Sequence, residues 1–552
     1  MARRTIVVLG GYGSGVTAAT AAREIDEEAR IVLVDPGAES SGTVAAVPYA
    51  ISGETATPTA LSRGRPEVLT ATHGIEMRAS PGAIRIDASA KRIHLADGAL
   101  DYTALVHALG AETTPDPKVP AASNVHRLRT LADLEGVRAA MGPGARVCVL
   151  GGSPTAVDAA DAFRRGGLTV TIVHAGPRLL ADFSAMGSAR AATALRAAGV
   201  EVVADESAAG AVVSDGRIHA LVLAGGSKLP VDLVVITGPL RPHSELLRAA
   251  GADLNDDGSV VVDEHCATSL PHVFACGASV AVPHFVTGWP VWLPQAGVAD
   301  RTAMVAGVVA AGGQARLEPV LNTSIVRAGD LTIGRTGLAW DEAIEYATED
   351  EIGQVSVHGS SCERTLSASQ PLAIDMVYHR GDGRILGAEV AGKAGADKRV
   401  DVLSTAILGR LTVERISALD LAYAPAFSTT RDVVNVAGGV AAAARAGLAR
   451  PWTTQELMAR IGEVAIVDVE PERGRAGEIT DSLVIPLAEL RSHIAALPRD
   501  RPIVFVSETG RLGYVAARIA HLRGFKDAGF LTGGLLSWQA AGLSVKQGSK
   551  HR

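Results

Sequence analysis

Two stretches of this chain share one architecture: an apolar strand, a glycine-rich turn, then a helix start. The first is Ile6 to Gly15 (IVVLGGYGSG) and the second Arg146 to Ala156 (RVCVLGGSPTA). A buried strand that ends in glycines turns sharply enough for the next helix to aim its free N–H groups and the positive end of its dipole at a pyrophosphate. Gly10, Gly11, Tyr12, Gly13, Ser14 and Gly15 form the first such cradle. Asp35, at the end of the strand Ile31 to Asp35, follows about 20 residues on, where a carboxylate takes ribose hydroxyls. Gly151, Ser153, Pro154 and Thr155 belong to the second turn. One glycine turn is weak evidence, whereas two in series, the first with its acid, point to a flavin-and-nicotinamide layout.

The 552 residues exceed one domain, and a prior of roughly 100 to 200 residues per domain suggests three to five. Hydrophobic residues at 47%, charged residues at 20% and a net charge of −7 describe an ordinary globular chain that offers no bulk attraction to nucleic acid or anionic membrane. A small-molecule partner is expected instead. The start, Met1-Ala2-Arg3-Arg4, runs into a strand without a secretory apolar stretch, so the expectation is a soluble, cytoplasmic protein. Cys148, Cys266, Cys276 and Cys362 show no metal-ligand spacing; Cys148 and Cys276 read as inert core thiols, and Cys362 as a free loop thiol.

The order of strands is informative. The first β-α-β unit ends in Leu105 to Gly110, the second runs to Gly238, and the chain then returns through Val273 to Gly277 and a helix after Leu293 to Gly297. One nucleotide domain is therefore interrupted by another and resumed. The expected division is 1–115 and 246–316 for the first nucleotide domain, 116–245 for the second, and 317–440 for an α+β lobe with an amphipathic helix near Lys398 to Leu408. Residues 441–452 are expected to form a linker, overlapping the Ala/Gly-rich stretch Gly438 to Gly447, which reads as a terminal helix or a connection. Residues 453–552 form a compact α/β domain.

This order, with Pro48-Tyr49, Leu293-Pro294-Gln295-Ala296-Gly297, Ala396 to Asp401 and Leu421 to Pro425, resembles the pyridine nucleotide-disulfide oxidoreductases. The likeness is greatest to coenzyme A-disulfide reductases fused to a rhodanese domain, and the tail is similar to rhodanese through Val467-Asp468-Val469, Gly510 and Leu531-Thr532-Gly533-Gly534. The resemblance implies two Rossmann-like domains of the glutathione-reductase kind, a dimerisation lobe, a homodimer, FAD, and NAD(P)H as a further ligand. For the flavin it implies Pro48, Gly110, Gly277, Ala278, Gln295 and Ala296 beside the first turn; for the nicotinamide dinucleotide, His174 and Arg178 beside the second, where the pair would favour a 2′-phosphate. It places Tyr49 near the flavin, and Tyr423 facing the partner's flavin, as candidate proton-handling residues, each with packing as the alternative. His284, Trp289 and Trp292 read equally as a substrate wall or as packing, and His107 as a hydrogen-bonded core histidine.

The departures fall on the chemistry. The redox cysteine position holds Ala45, the rhodanese nucleophile position holds Ser507, and Glu470 stands where rhodanese-like domains carry arginine. Without thiolates neither a mixed disulfide nor a persulfide forms. Ala278 replaces a flavin-binding aspartate, Ser153 and Ala156 replace glycines, and His174 replaces a carboxylate. Two readings follow: an FAD-dependent oxidoreductase that passes hydride directly between flavin and a small organic substrate or NAD(P)H, or an inactive binding or regulatory homologue.

Overall fold

The computed structural model describes residues 3–35, 46–55, 66–80, 82–470 and 477–546. They form two compact units, Met1–Pro177 with Gly199–Val320, and Arg178–Ala198 with Leu321–Arg552.

In the first unit, β1 (Thr5–Leu9) is buried over all but its first residue, as an uninterrupted apolar run must be when a parallel sheet is covered on both faces. Helix α1 (Gly13–Ile25) returns the chain to β2 (Arg30–Asp35), which lies parallel to β1 with Ile6 opposite Ile31. The short helix α2 (Val47–Ile51) follows, then β3 (Glu76–Ala79) beside β2 and β4 (Ala104–His107) on the other side of β1. A second parallel sheet is then built from β5 (Val125–Arg127), β6 (Arg146–Leu150), β7 (Thr169–His174), β8 (Glu201–Ala204) and β9 (Leu233–Ile236); α3 (Pro154–Arg165) joins β6 to β7, and α4 (Ala185–Ala197), which belongs to the second unit, joins β7 to β8. Its strand order is β8-β7-β6-β9-β5. The chain re-enters the first sheet as β10 (Val273–Ala275) next to β4, giving β10-β4-β1-β2-β3. Helix α5 (Ala296–Ala310) then packs on α1 so closely that a Cβ on Gly307 would lie 2.9 Å from Ala18 Cα. Both sheets are doubly wound, with their glycine turns at the carboxyl ends of the strands.

In the second unit, β11 (Ser324–Ala328), β12 (Leu331–Gly337), β13 (Ile352–Ser360), β14 (Pro371–His379) and β15 (Ile385–Gly392) form an antiparallel sheet ordered β11-β12-β15-β14-β13. Helix α6 (Ala396–Leu408) carries the amphipathic pattern expected from Lys398 onward and begins two residues earlier. The stretch from Gly438 resolves as helix: α7 spans Val433–Arg445. Arg399 on α6 meets Asp432, the residue that caps α7, at 2.7 Å, and the two side chains are almost wholly buried. The hydroxyl of Ser428 also donates to Asp432, at 2.6 Å, so the pair is embedded in hydrogen bonds, without which burial would be costly.

A parallel sheet follows from β16 (Arg450–Trp452), β17 (Ala465–Asp468), β18 (Leu483–Val484), β19 (Ile503–Val506) and β20 (Ala528–Leu531), ordered β16-β20-β19-β17-β18. Helix α8 (Arg511–Leu522) lies between β19 and β20, and α9 (Gly534–Ala540) follows β20. This domain has its own core, in which Val467, Phe505 and Phe530 lie on one face and Trp452 and Trp538 on the other. The architecture is thus two Rossmann-like folds, an α+β lobe and a rhodanese-like α/β domain.

Candidate functional site

The first glycine turn is shaped to receive a dinucleotide. Gly10 takes φ +101°, and a Cβ there would lie 2.6 Å from the Ala108 carbonyl oxygen. The Gly11 N–H donates to the buried Asp35 carboxylate at 2.6 Å, which fixes the acid at the mouth of the turn. No side chain caps the N-terminus of α1, and a Cβ on Gly13 would meet open space. Its orphan N–H groups and the helix dipole are therefore left for an anion. Tyr12 in the middle position does not fill the cradle; its side chain runs toward Thr130 and Asp133, where burial, Asp35 and Asp133 raise its pKa against the opposing hydrogen bond of Thr130.

The remaining flavin candidates surround this turn. Ser14 faces Gly277, whose φ is +81°, and a Cβ on Gly277 would stand 2.7 Å from the Ser14 hydroxyl. Gly277 donates its N–H to the buried Thr302 hydroxyl at 2.9 Å. The Trp292 indole donates to the Ala278 carbonyl at 2.8 Å. Trp292 is thus a fixed part of the turn, while Trp289 is 49% exposed. Gln295 caps α5 by position but not by its side chain, which leaves the N–H groups from Ala296 onward uncapped. Gly110 adopts φ +73° with open space at its Cβ position. Pro48 is buried in α2, and Tyr49, beside it, is partly exposed. Ala45 and its neighbours Ser41 to Val44 lie outside the described residues.

The second turn is built differently. A Cβ on Gly152 would fall 2.6 Å from the His174 ring, and one on Gly176 2.6 Å from His174 Nε2, so the imidazole lies across the glycines. The Ser153 hydroxyl accepts from Ala156 N–H at 3.4 Å and Pro154 has no N–H to give. With Ser153 and Pro154 so placed, only Thr155 among the first three residues of α3 keeps its N–H for a ligand. Arg178 belongs to the second unit, where it pairs with Asp341 at 2.8 Å.

Three expectations need correction or refinement. His107 is a core histidine, fully buried, yet neither ring nitrogen has a hydrogen-bond partner among the described residues. The expected hydrogen bond is missing because the ring, at the end of β4, is enclosed in the core of the first sheet, where the neighbouring backbone groups are spent on the parallel ladder. Cys362 is the free loop thiol expected, and it is buried. Tyr423 is 48% exposed and its hydroxyl donates to Glu363 at 3.4 Å, a contact no sequence spacing signals. Burial raises the pKa of Cys148 and of Cys276 and takes Cys266 to about 12, which keeps these thiols protonated and inert.

In the tail domain the Ser507 hydroxyl, buried, accepts from Gly513 N–H at 3.2 Å. Ser507 thus serves the first turn of α8. The Glu470 carboxylate accepts from Glu508 N–H at 3.0 Å and places a fixed negative charge on the same loop. Among the described residues no group of His, Cys, Asp and Glu is arranged to hold a metal ion, and no helix is long and apolar enough to cross a membrane.

The pyridine nucleotide-disulphide oxidoreductase family model matches residues 4–302, its dimerisation domain 324–433, and the rhodanese-like domain 453–541. An NADH oxidase of Methanocaldococcus jannaschii is 26% identical over 440 residues, covering 78% of this chain and 97% of the relative. The crystal structure of reduced CoADR-RHD from Bacillus anthracis superposes with a TM-score of 0.92 at 27% identity, covering 98% of each chain. A NAD-dependent persulfide reductase from A. fulgidus gives 0.89 at 28% identity, over 97% of this chain and 100% of the other. The chain belongs to the pyridine nucleotide-disulphide oxidoreductases, a family that works with FAD and NAD(P)H, and it carries the family's dimerisation domain and a rhodanese-like domain.

Proposed function

We propose that the chain is an FAD-dependent oxidoreductase without a cysteine relay, moving hydride directly between flavin and a small organic substrate or NAD(P)H. The observation that carries this reading is the first turn, with its uncapped helix, open Gly13 position and buried Asp35 on Gly11. Bound FAD supplies the hydride chemistry. The chain's own part is to seat the pyrophosphate on α1 and the ribose on Asp35, and to present Pro48 and Tyr49 on α2, with Tyr49 and Tyr423 as candidate proton carriers. In this reading residues 1–115 and 246–316 hold FAD, 116–245 take the pyridine dinucleotide, 317–440 dimerise, 441–452 link, and 453–552 form a rhodanese-like domain without sulfurtransfer.

Ala45 and its neighbours Val44, Ala46 and Val47 are apolar, which suits a neutral or aromatic substrate. Under anaerobic conditions a substrate from a panel of small metabolites, or NADH or NADPH, should bleach the oxidised flavin band, and Ala45→Phe should keep FAD while losing that response. An unchanged spectrum across the panel would replace this reading with a binding or regulatory homologue, which the self-capped second turn favours.

Sulfur chemistry is expected to be absent in both halves: no coenzyme A disulfide reduction and no thiocyanate formation from thiosulfate. Ser507→Cys alone should stay at background, because the Glu470 carboxylate on the adjacent Glu508 N–H disfavours a thiolate in that loop. Thiocyanate production by that single variant would show that the loop still supports transfer. For the dimerisation lobe a two-fold homodimer is proposed; sedimentation at micromolar concentration should report about twice the chain mass, and a persistent monomer would remove Tyr423 from any shared site.

A further inference from the structure

Helix α4 has an unusual allegiance. It connects β7 to β8, parallel neighbours in the second nucleotide sheet, yet it belongs to the second unit, packed on the lobe sheet. Its start is anchored there: Ser184 donates both its N–H and its hydroxyl to the buried Glu389 of β15, each at 2.5 Å. A Cβ on Gly187 would strike the same carboxylate. One turn further along, Arg190 is ion-paired with Asp375 of β14, both buried. Glu389 and Asp375 stand opposite each other in the sheet, and Asp375 in turn stands opposite Ser356 of β13, whose hydroxyl donates to it at 2.5 Å.

This polar row runs out of the lobe and into the rhodanese-like domain. β13 is the edge of its sheet, so the outward N–H and C=O of Ser356 need partners. The buried Thr532 hydroxyl supplies both, accepting from Ser356 N–H and donating to Ser356 C=O, each at 2.8 Å. His358, two residues on, meets the Ser537 hydroxyl of α9 at 2.9 Å. The next two residues after Thr532 complete the bridge. A Cβ on Gly533 would press within 2.9 Å of Ser356 Cβ, while Gly534 backs onto the degenerate loop, whose Ser507 and Glu508 carbonyls each accept an N–H from the start of α9 at 3.0 Å. The loop that carries Ser507 is thus tied, through Thr532 to Gly534, to an edge strand and, through it, to α4.

We propose that the rhodanese-like domain is a non-catalytic clamp, whose Thr532 and Ser537 docking on β13 holds α4 in place and thereby couples the tail domain to dinucleotide binding at the second glycine turn. The coupling rests on the reading that this turn takes a pyridine dinucleotide; the clamp on α4 does not. The link is covalent at its far end, since only Ala175 to Ser184 separate His174 from α4.

The test uses the full-length protein and the variants Thr532→Val, which keeps the volume but removes the bridging hydroxyl, and Thr532→Ser, which restores it. Hydrogen exchange by mass spectrometry should show faster exchange over 352–360 and over 185–197 in Thr532→Val, and unaltered rates in Thr532→Ser. Equilibrium dialysis with NADH and NADPH should show a change of about fivefold or more in Kd for Thr532→Val, the lower end expected of coupled sites, with FAD content unchanged. By reciprocity, the dinucleotide should slow exchange at 532–537 in the unaltered protein. Faster exchange confined to 352–360 would overturn the clamp. Loosened α4 with an unchanged Kd would overturn the coupling, and an unaltered protein that binds neither dinucleotide would overturn the reading of the second turn and the coupling with it, leaving the exchange data to decide the clamp.

Discussion

Gly15→Val is expected to yield a folded protein that retains no flavin. Gly15 sits in the first turn of α1 with its Cα directly against the Gly10 carbonyl: an added Cβ would come within 2.9 Å of the carbonyl carbon, closer still to its oxygen, and 3.5 Å from Leu33 Cδ1. None of these neighbours gives way. Gly10 is held from the other side by its N–H bond to Val34 C=O at 2.9 Å and by the Ala108 carbonyl, and Leu33 is in the sheet core. Relief must therefore come from α1, which moves away from the strand and takes with it the uncapped N–H groups that would face a pyrophosphate. Displacement by about 1 Å is enough to spoil such a site. The control is Gly142→Ala, outside the turn, whose Cβ meets open space and which should keep FAD. Heating and chromatography of the released cofactor should give FAD comparable to protein chains for the parent and Gly142→Ala, and none for Gly15→Val. Flavin retained at parental levels by Gly15→Val would show that the turn does not hold the cofactor.

The features legible in the sequence are those that depend on near neighbours along the chain. Gly10 to Gly15 and Asp35 form one such set, because strand, turn, helix and acid are consecutive and each residue type answers a local backbone demand. The interruption of one nucleotide fold by another was equally readable, from apolar strands that each ended at glycine. What escaped depends on partners far away in sequence. Glu389 holds a helix whose N-cap, Ser184, lies 205 positions earlier, and the Thr532 hydroxyl takes the N–H of Ser356, 176 positions before it. Glu389 and Asp375 in β15 and β14 read as polar interruptions of apolar strands, and only the register that sets them side by side reveals a continuous row. Tyr12 is similar: its place in the turn is legible, whereas the course of its side chain toward Thr130 and Asp133 depends on residues more than a hundred positions away.

His107 should make the protein sensitive to mild acid. Its ring is fully buried on β4, has no hydrogen-bond partner among the described residues, and is pushed down from 6.5 to about 4, first by burial and then by the nearby charge of His243. In the unfolded chain the same imidazole titrates near its ordinary value of about 6.5. Between about pH 6.5 and pH 4 the unfolded state therefore binds more protons than the folded one, and stability falls as pH falls through that window. Above about pH 6.5 both states are neutral and the residue has no effect; below about pH 4 the loss is complete. For this separation the loss amounts to roughly 2 kcal/mol at about pH 5 and approaches roughly 3 kcal/mol at the acid end. His107→Leu, apolar and of similar size, removes the group that must be kept neutral. Urea unfolding followed between about pH 7 and pH 5 should show the parent midpoint dropping by more than that of His107→Leu, with the two proteins differing least in their response above about pH 6.5. Parallel pH dependence in the two proteins would mean that His107 is protonated alike in the folded and unfolded states, and that a proton or a partner reaches the ring in the core of the first sheet.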